Sequence, residues 1–319
     1  MAFDRKVLDS VTDAFSTRRL RRQIERQRRR EEMYTKEPRI QAIDAEISSA
    51  TIAIVRSTLV GTANPLPRLE ALREQTWALR EERSRLLEKH GKSRHYLDDV
   101  PDCEHCDDTG FLPSGPCACL IAAYAEAQKQ ALELLLPVET QTFDTFDLNF
   151  YSRSVNSAWG MSPRENIERV ADVCKEFAYH FGALSGNLFL SGGTGLGKTF
   201  LAAAIAGAVT EKGLSVLFAE AADVVAVYEK EKFQRDEAAT AEIGRFLACD
   251  LMIVDDLGSE LASPFSTSAL FSLINTRLLR RKKIVVISSL SEQELGKRYS
   301  AQLLSRLNGE FIMLPFFGE

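Results

Sequence analysis

No long apolar run occurs anywhere in this chain, and no hydrophobic core follows the charges near its N-terminus as a targeting signal requires. No segment approaches the roughly 20 apolar residues that span a bilayer. Together these absences point away from a membrane partner and lead us to expect a cytoplasmic protein. Cysteine is scarce as well, with six in 319 residues, and a cytosolic chain keeps few stable disulfides. Negative charge is nearly missing from residues 18–30 (RRLRRQIERQRRR), where eight arginines face Glu25 alone. With an overall charge of −5, the rest of the chain therefore carries −12. Such a run serves either as a solvated helix face or arm, or as a contact for nucleic acid or an acidic partner, and basic charge alone does not choose between them. What remains is an ordinary soluble composition, 45% hydrophobic and 27% charged, long enough for two or three domains.

The most informative stretch is Ser191-Gly192-Gly193-Thr194-Gly195-Leu196-Gly197-Lys198-Thr199, a complete G-x-x-x-x-G-K-[ST] loop. The apolar residues 187–190 before it read as a buried strand, and 200–206, beginning at Phe200, read as a helix. A strand, a glycine loop and a helix make a phosphate cradle. Its glycines let successive N–H groups point inward, the helix N-terminus adds a positive dipole end, and Lys198 reaches the outer phosphates. Thr199 is the expected Mg²⁺ ligand. Further on, Leu251-Met252-Ile253-Val254-Asp255-Asp256 reads as a buried strand ending in two acids. Asp255 is the candidate for the Mg²⁺ shell and Asp256 for polarising an attacking water.

The other elements fall around these motifs. Residues 1–35 read as a lone helix or a poorly ordered basic arm. Ile40, Ile43, Ile47, Ala50 and Ile54 share one helix face, and Leu69, Leu72, Leu79 and Leu86 another, interrupted by Thr76 and Arg83. The break at 61–67 (GTANPLP) between them predicts an antiparallel helical hairpin over 38–90. Within 100–120, Cys103 and Cys106 are followed by Cys117 and Cys119 across a turn-rich segment, a four-sulfur set suited to structural Zn²⁺. The second pair is a C-x-C, tighter than the usual spacing, and His105 lies between two ligands as a possible substitute. Cys174 and Cys249 are expected in the core. After a helical stretch to about 136, residues 142–151 read as an extended piece within a linker over 137–160. From 161 to 319 helix and strand signals alternate, which predicts a parallel sheet covered by helices on both faces.

The strings GGTGLGKT, LMIVDDLGSE, INTRLL, IVVISSLS and RYSAQLLSRLNG resemble the AAA+ ATPases of the DnaC/DnaI helicase-loader and IstB group over residues 142–316. The cysteine segment resembles the part that precedes the ATPase in DnaC-like proteins of firmicutes and their phages. The resemblance implies an ATPase that uses ATP and Mg²⁺, with nucleotide contacts along Gly192, Gly193, Thr194, Gly195, Leu196, Gly197, Lys198, Thr199 and Phe200, and the preference for adenine is taken from it alone. It assigns Ser289 to the sensor 1 position, where relatives usually carry Asn, and a serine there is shorter and has no amide. Arg306 matches the arginine finger inserted into a neighbouring subunit's site, with Arg298 and Arg277 as weaker candidates read mainly as surface or sheet-edge contacts. The chain ends soon after the last strand signal, leaving no room for a helical lid, as in the shortened DnaC and IstB form. The implied role is a loader that binds single-stranded DNA and a DnaB-type helicase, with self-association through the ATPase part and residues 1–136, held by zinc, binding the helicase. An IstB-type transposition helper and a non-catalytic nucleotide-binding adaptor stand beside it.

Overall fold

The structure is a computed structural model that describes residues 3–59 and 66–318, without the side chains of 54–69. It divides into two compact units, Thr12–Pro113 and a second made of Met1–Val11 with Ser114–Glu319.

The first unit is helical. Most of α1 (Arg5–Lys36), then α2 (Pro38–Leu59) and α3 (Leu66–Lys89), supply its elements, so the basic N-terminal stretch is continuous helix. α2 and α3 pack on each other. Ile40, Ile43, Ala50 and Leu79 are buried, while the side chains of Ile54 and Leu69 and the expected break at 61–65 lie outside the described residues. The apolar core among the described residues is small, centred on Met33, Ile40, Leu87 and Leu97.

The second unit is a five-stranded parallel sheet. Its strands are β3 (Asn187–Gly192), β4 (Val216–Glu220), β5 (Leu251–Asp255), β6 (Lys283–Ser288) and β7 (Phe311–Phe316), in the order β4-β5-β6-β3-β7; β1 and β2 are two-residue strands of the cysteine segment, Phe111–Leu112 and Gly115–Pro116. Strand side chains alternate between faces, so Leu188, Leu190, Ile253, Val285 and Ile287 enter one core and Phe189, Met252, Val254, Ile284 and Val286 the other. Both faces are covered, which is why these strands read as unbroken apolar runs rather than alternating ones. α4 (Ala118–Glu133), α5 (Pro163–Tyr179) and α6 (Lys198–Thr210) contribute to the first core. α7 (Ala221–Glu229), α8 (Glu237–Ala248), α9 (Pro264–Leu279), α10 (Glu292–Arg298) and α11 (Ala301–Glu310) contribute to the second.

Two segments differ from the sequence reading. α4 packs in the α/β unit, where Leu120, Tyr124, Gln128 and Leu132 form its buried face and Gln128 donates to the Val216 carbonyl at 2.8 Å. Residues 142–151 are not extended: a turn leads into a 3₁₀ turn at Leu148–Phe150, capped by the Asp147 carboxylate accepting from the Asn149 N–H at 2.8 Å. Local Asx-type capping outweighs extension there.

Candidate functional site

The glycine loop leaves β3 and enters α6 with left-handed backbone at Gly195 (φ 79°) and Gly197 (φ 86°), conformations that a side chain disfavours. Gly192 is needed for a second reason: a Cβ there would lie 2.1 Å from the Phe316 carbonyl oxygen of β7. Lys198, at the first position of α6, is buried, and its ammonium donates to the Gly192 and Gly193 carbonyls at 2.8 and 2.6 Å. Burial holds its pKa below the usual lysine value, while Asp255 and Asp256 pull the other way. A shielded cation at a helix N-terminus, among glycine N–H groups, fits a phosphate.

Asp255 ends β5, and its Oδ2 accepts from the Thr199 hydroxyl at 3.0 Å. The two groups expected to share Mg²⁺ thus meet although they are far apart in sequence, and their oxygen donors suit that hard cation. Asp256 follows with a left-handed backbone (φ 51°), which aspartate tolerates better than most residues, and its N–H donates to Asp255 Oδ1 at 2.7 Å. Thr194, Gly195, Gly197, Lys198, Thr199, Phe200, Asp255, Asp256 and Ser289 line one open cleft of about 400 Å³ at the carboxyl ends of the strands. That is where open α/β sheets hold ligands. Ser289 also lines a second, more apolar cavity of about 590 Å³, with Gly192, Gly193, Trp159, Met313 and Phe316 among its walls.

The expected arginines separate. Arg306 is half-exposed on α11, pairs with Glu310 at 3.7 Å and does not line its own chain's cleft. Arg277 is fully buried rather than a surface contact: its guanidinium donates to the carbonyls of Phe246, Cys249, Asp250 and Lys283, tying α8 and α9 to the starts of β5 and β6. Arg298 is bound to Glu260. Sequence reasoning also missed the cover of the phosphate loop. Tyr151 donates its hydroxyl to the Leu196 carbonyl at 3.0 Å, and the Phe146 ring lies 5.2 Å from that of Phe200. The aromatic spacing of 143–151 was the available signal, but nothing local says which surface such rings cover.

In the cysteine segment the sulfur atoms of Cys103, Cys106, Cys117 and Cys119 all lie within 4.8 Å of one another. Tetrahedral Zn²⁺ with bonds of about 2.3 Å needs sulfur separations near ~3.8 Å, so the set fits a structural zinc with small adjustment. The backbone of the knuckle is compatible with that role. Asp107, Asp108 and Gly110 all have positive φ, and the Gly110 N–H points at Cys106 Sγ, 3.3 Å away. The buried Asp108 carboxylate accepts from the Asp102 and Cys103 N–H groups and pairs with Arg22. The basic run is therefore partly spent on folding: Arg22 also pairs with Asp99, and Arg26 and Arg29 donate to the carbonyls of Leu97 and Tyr96. Cys174 and Cys249 are buried core residues, as expected.

The model of the IstB-like ATP binding protein family matches residues 172–306, from α5 through the acid pair to Arg306. Over that region the chain is similar to the IstB-like ATP binding proteins and to replicative helicase loaders named DnaC. A protein of Sinorhizobium fredii described as an insertion sequence ATP-binding protein is 38% identical over 104 residues, 32% of this chain and 34% of its own length. The replicative helicase loader DnaC of Buchnera aphidicola is 24% identical over 155 residues, 48% of this chain and 63% of the relative. A crystal structure of the DnaC helicase loader superimposes with a TM-score of 0.45 at 20% identity, covering 55% of this chain and 98% of that one. The chain thus spans from about a third to under two thirds of the curated relatives it matches. Among the described residues no helix is long and apolar enough to cross a membrane.

Proposed function

We propose that this chain is an ATP-hydrolysing, cytoplasmic loading factor that binds ATP, Mg²⁺ and single-stranded DNA and delivers a DnaB-type replicative helicase. The observation that carries the ATPase part is the meeting of Lys198, Thr199, Asp255 and Asp256 in one cleft. Lys198 and the loop N–H groups hold the phosphates, Thr199 and Asp255 hold the metal shell, and Asp256 orients water for attack on the terminal phosphoryl group. Bound Mg²⁺ neutralises charge on the phosphates. Ser289 supplies a shorter polar contact than the amide of relatives, and Arg306 completes the site of a neighbouring copy. Hydrolysis then depends on assembly, with ATP acting as the assembly switch.

Support for the loader reading comes from the fold of the cysteine segment ahead of the ATPase domain, which the resemblance associates with loaders. In it residues 1–136 bind the helicase and Zn²⁺ holds the segment 100–120. A second reading, an IstB-type transposition helper, is favoured by the insertion-sequence relative and the family model. The test uses the full-length protein as bait for purified DnaB-type helicase and for transposase, with and without a zinc chelator, alongside ATP turnover with and without single-stranded DNA. Helicase capture that chelation abolishes supports the loader. Transposase capture replaces it with the helper, and helicase capture with no turnover under any condition leaves the adaptor.

A further inference from the structure

Glu260 lies five residues beyond Asp255, and its side chain is almost wholly buried. A buried carboxylate is costly unless its lone pairs are filled. Here they are filled from two directions. Oε2 accepts from the Gly258 N–H at 2.9 Å, in the turn that carries the acid pair. Oε1 accepts from the Tyr299 hydroxyl at 2.6 Å and faces Arg298 Nε at 3.4 Å, while Arg298 also donates to the Glu260 carbonyl. Burial, reinforced by the carboxylate beside it, raises the Tyr299 pKa and keeps the phenol a donor.

Arg298 ends α10, Tyr299 is its C-cap and Ser300 is the N-cap of α11, so Arg298 and Tyr299 form the elbow from which the helix of Arg306 projects. The acid turn has its own anchors to β6: the Leu257 N–H donates to the Ile287 carbonyl at 2.8 Å, and the Ser288 hydroxyl to the Leu257 carbonyl at 2.6 Å. The elbow's polar anchors differ, although Leu295, Tyr299 and Leu303 also pack into the second core. Among the described residues, the polar side-chain bonds that join it to the rest of the unit end on Glu260. Loss of Glu260 therefore falls on the α10–α11 elbow rather than on the acid pair.

From this asymmetry we infer that Glu260 is a positioning residue for Arg306, holding α11 at a fixed attitude to the acid turn so that the arginine is presented correctly to a neighbouring copy's site. The inference rests on the reading of Arg306 as an arginine acting in trans. A group acting through orientation shows in kcat more than in KM, and a small displacement of a reacting group costs up to about a hundredfold. Glu260→Gln is expected to lower kcat about ten- to hundredfold, with KM for ATP within about twofold.

Mixing full-length variants separates the two halves of the site. Asp256→Asn keeps its arginine but loses its acid, and Arg306→Ala does the reverse. Mixed together they should recover turnover well above either alone, because some interfaces pair an intact acid with an intact arginine. Glu260→Gln should recover with Asp256→Asn in the same way and fail to recover with Arg306→Ala. Recovery of the control pair without recovery of Glu260→Gln by Asp256→Asn overturns the role given to Glu260. Failure of the control pair overturns the trans arginine itself, and the inference with it. If Glu260→Gln does not melt as a folded protein, Tyr299→Phe, which removes one hydroxyl, takes its place in the same mixtures with the same expected pattern.

Discussion

The two units hold themselves together by different means. In the α/β unit five parallel strands are sandwiched between two cores of buried aliphatic and aromatic side chains, and the buried Arg277 is held by the carbonyls of Cys249 and Lys283. In the helical unit fewer apolar side chains are buried, Met33, Ile40, Ile43, Leu79, Leu87 and Leu97 among them, and charge pairs add to them through Arg22 with Asp99 and Asp108, Arg30 and Arg83 with Asp44, and Arg83 with Asp98. A unit with little apolar area to bury leans on paired charges, while one with a large core can spend its charges on chemistry.

The largest effects should come from the α/β unit's chemistry. Arg306→Ala is expected to lower kcat by about 10³–10⁵-fold, with ATP binding retained in an equilibrium assay using a labelled nucleotide. Asp256→Asn should lower kcat by about 10²–10⁴-fold without changing the melting temperature. Retained turnover in either would leave the charges of this unit structural, like those of the other. Next in size, Asp108→Ala leaves Arg22 and two N–H groups without their shared acceptor. It should cost the helical unit about 3–5 kcal/mol in denaturant unfolding and weaken zinc retention, with the α/β transition unmoved. High salt should lower only the helical transition, and modestly, because its exposed pairs such as Arg39 with Glu46 contribute little each. Smallest is Ser162→Ala, which removes the capping box of α5 and should cost about 1 kcal/mol, read from the α/β transition.

The α/β unit was the more legible of the two in sequence for a physical reason. Strands buried on both faces must be unbroken apolar runs, and a tight loop must place its glycines where the backbone turns left-handed, so Leu251–Val254 and Gly192–Lys198 were readable as a buried strand and a glycine loop. The face Ile40, Ile43, Ala50 and the buried Leu79 were equally readable from helical spacing. The arginine run was not, because nothing local distinguishes Arg22, which finds Asp108, from Arg28, which pairs with Glu25 on its own helix. Arg277 was misread for the same cause: its partners are carbonyls at the ends of strands and helices distant in sequence, and a carbonyl leaves no mark in the sequence.

By itself, then, the sequence determined the periodic elements, the phosphate loop, the acid-ended strand and the two cysteine pairs, since each depends on residue types at short fixed spacing. The tertiary structure alone decided that Thr199 meets Asp255, that Phe146 and Tyr151 cover the loop, and that Glu260 joins the acid turn to the elbow before Arg306. Those meetings are made by strand order and helix packing, which bring together groups that no local spacing relates.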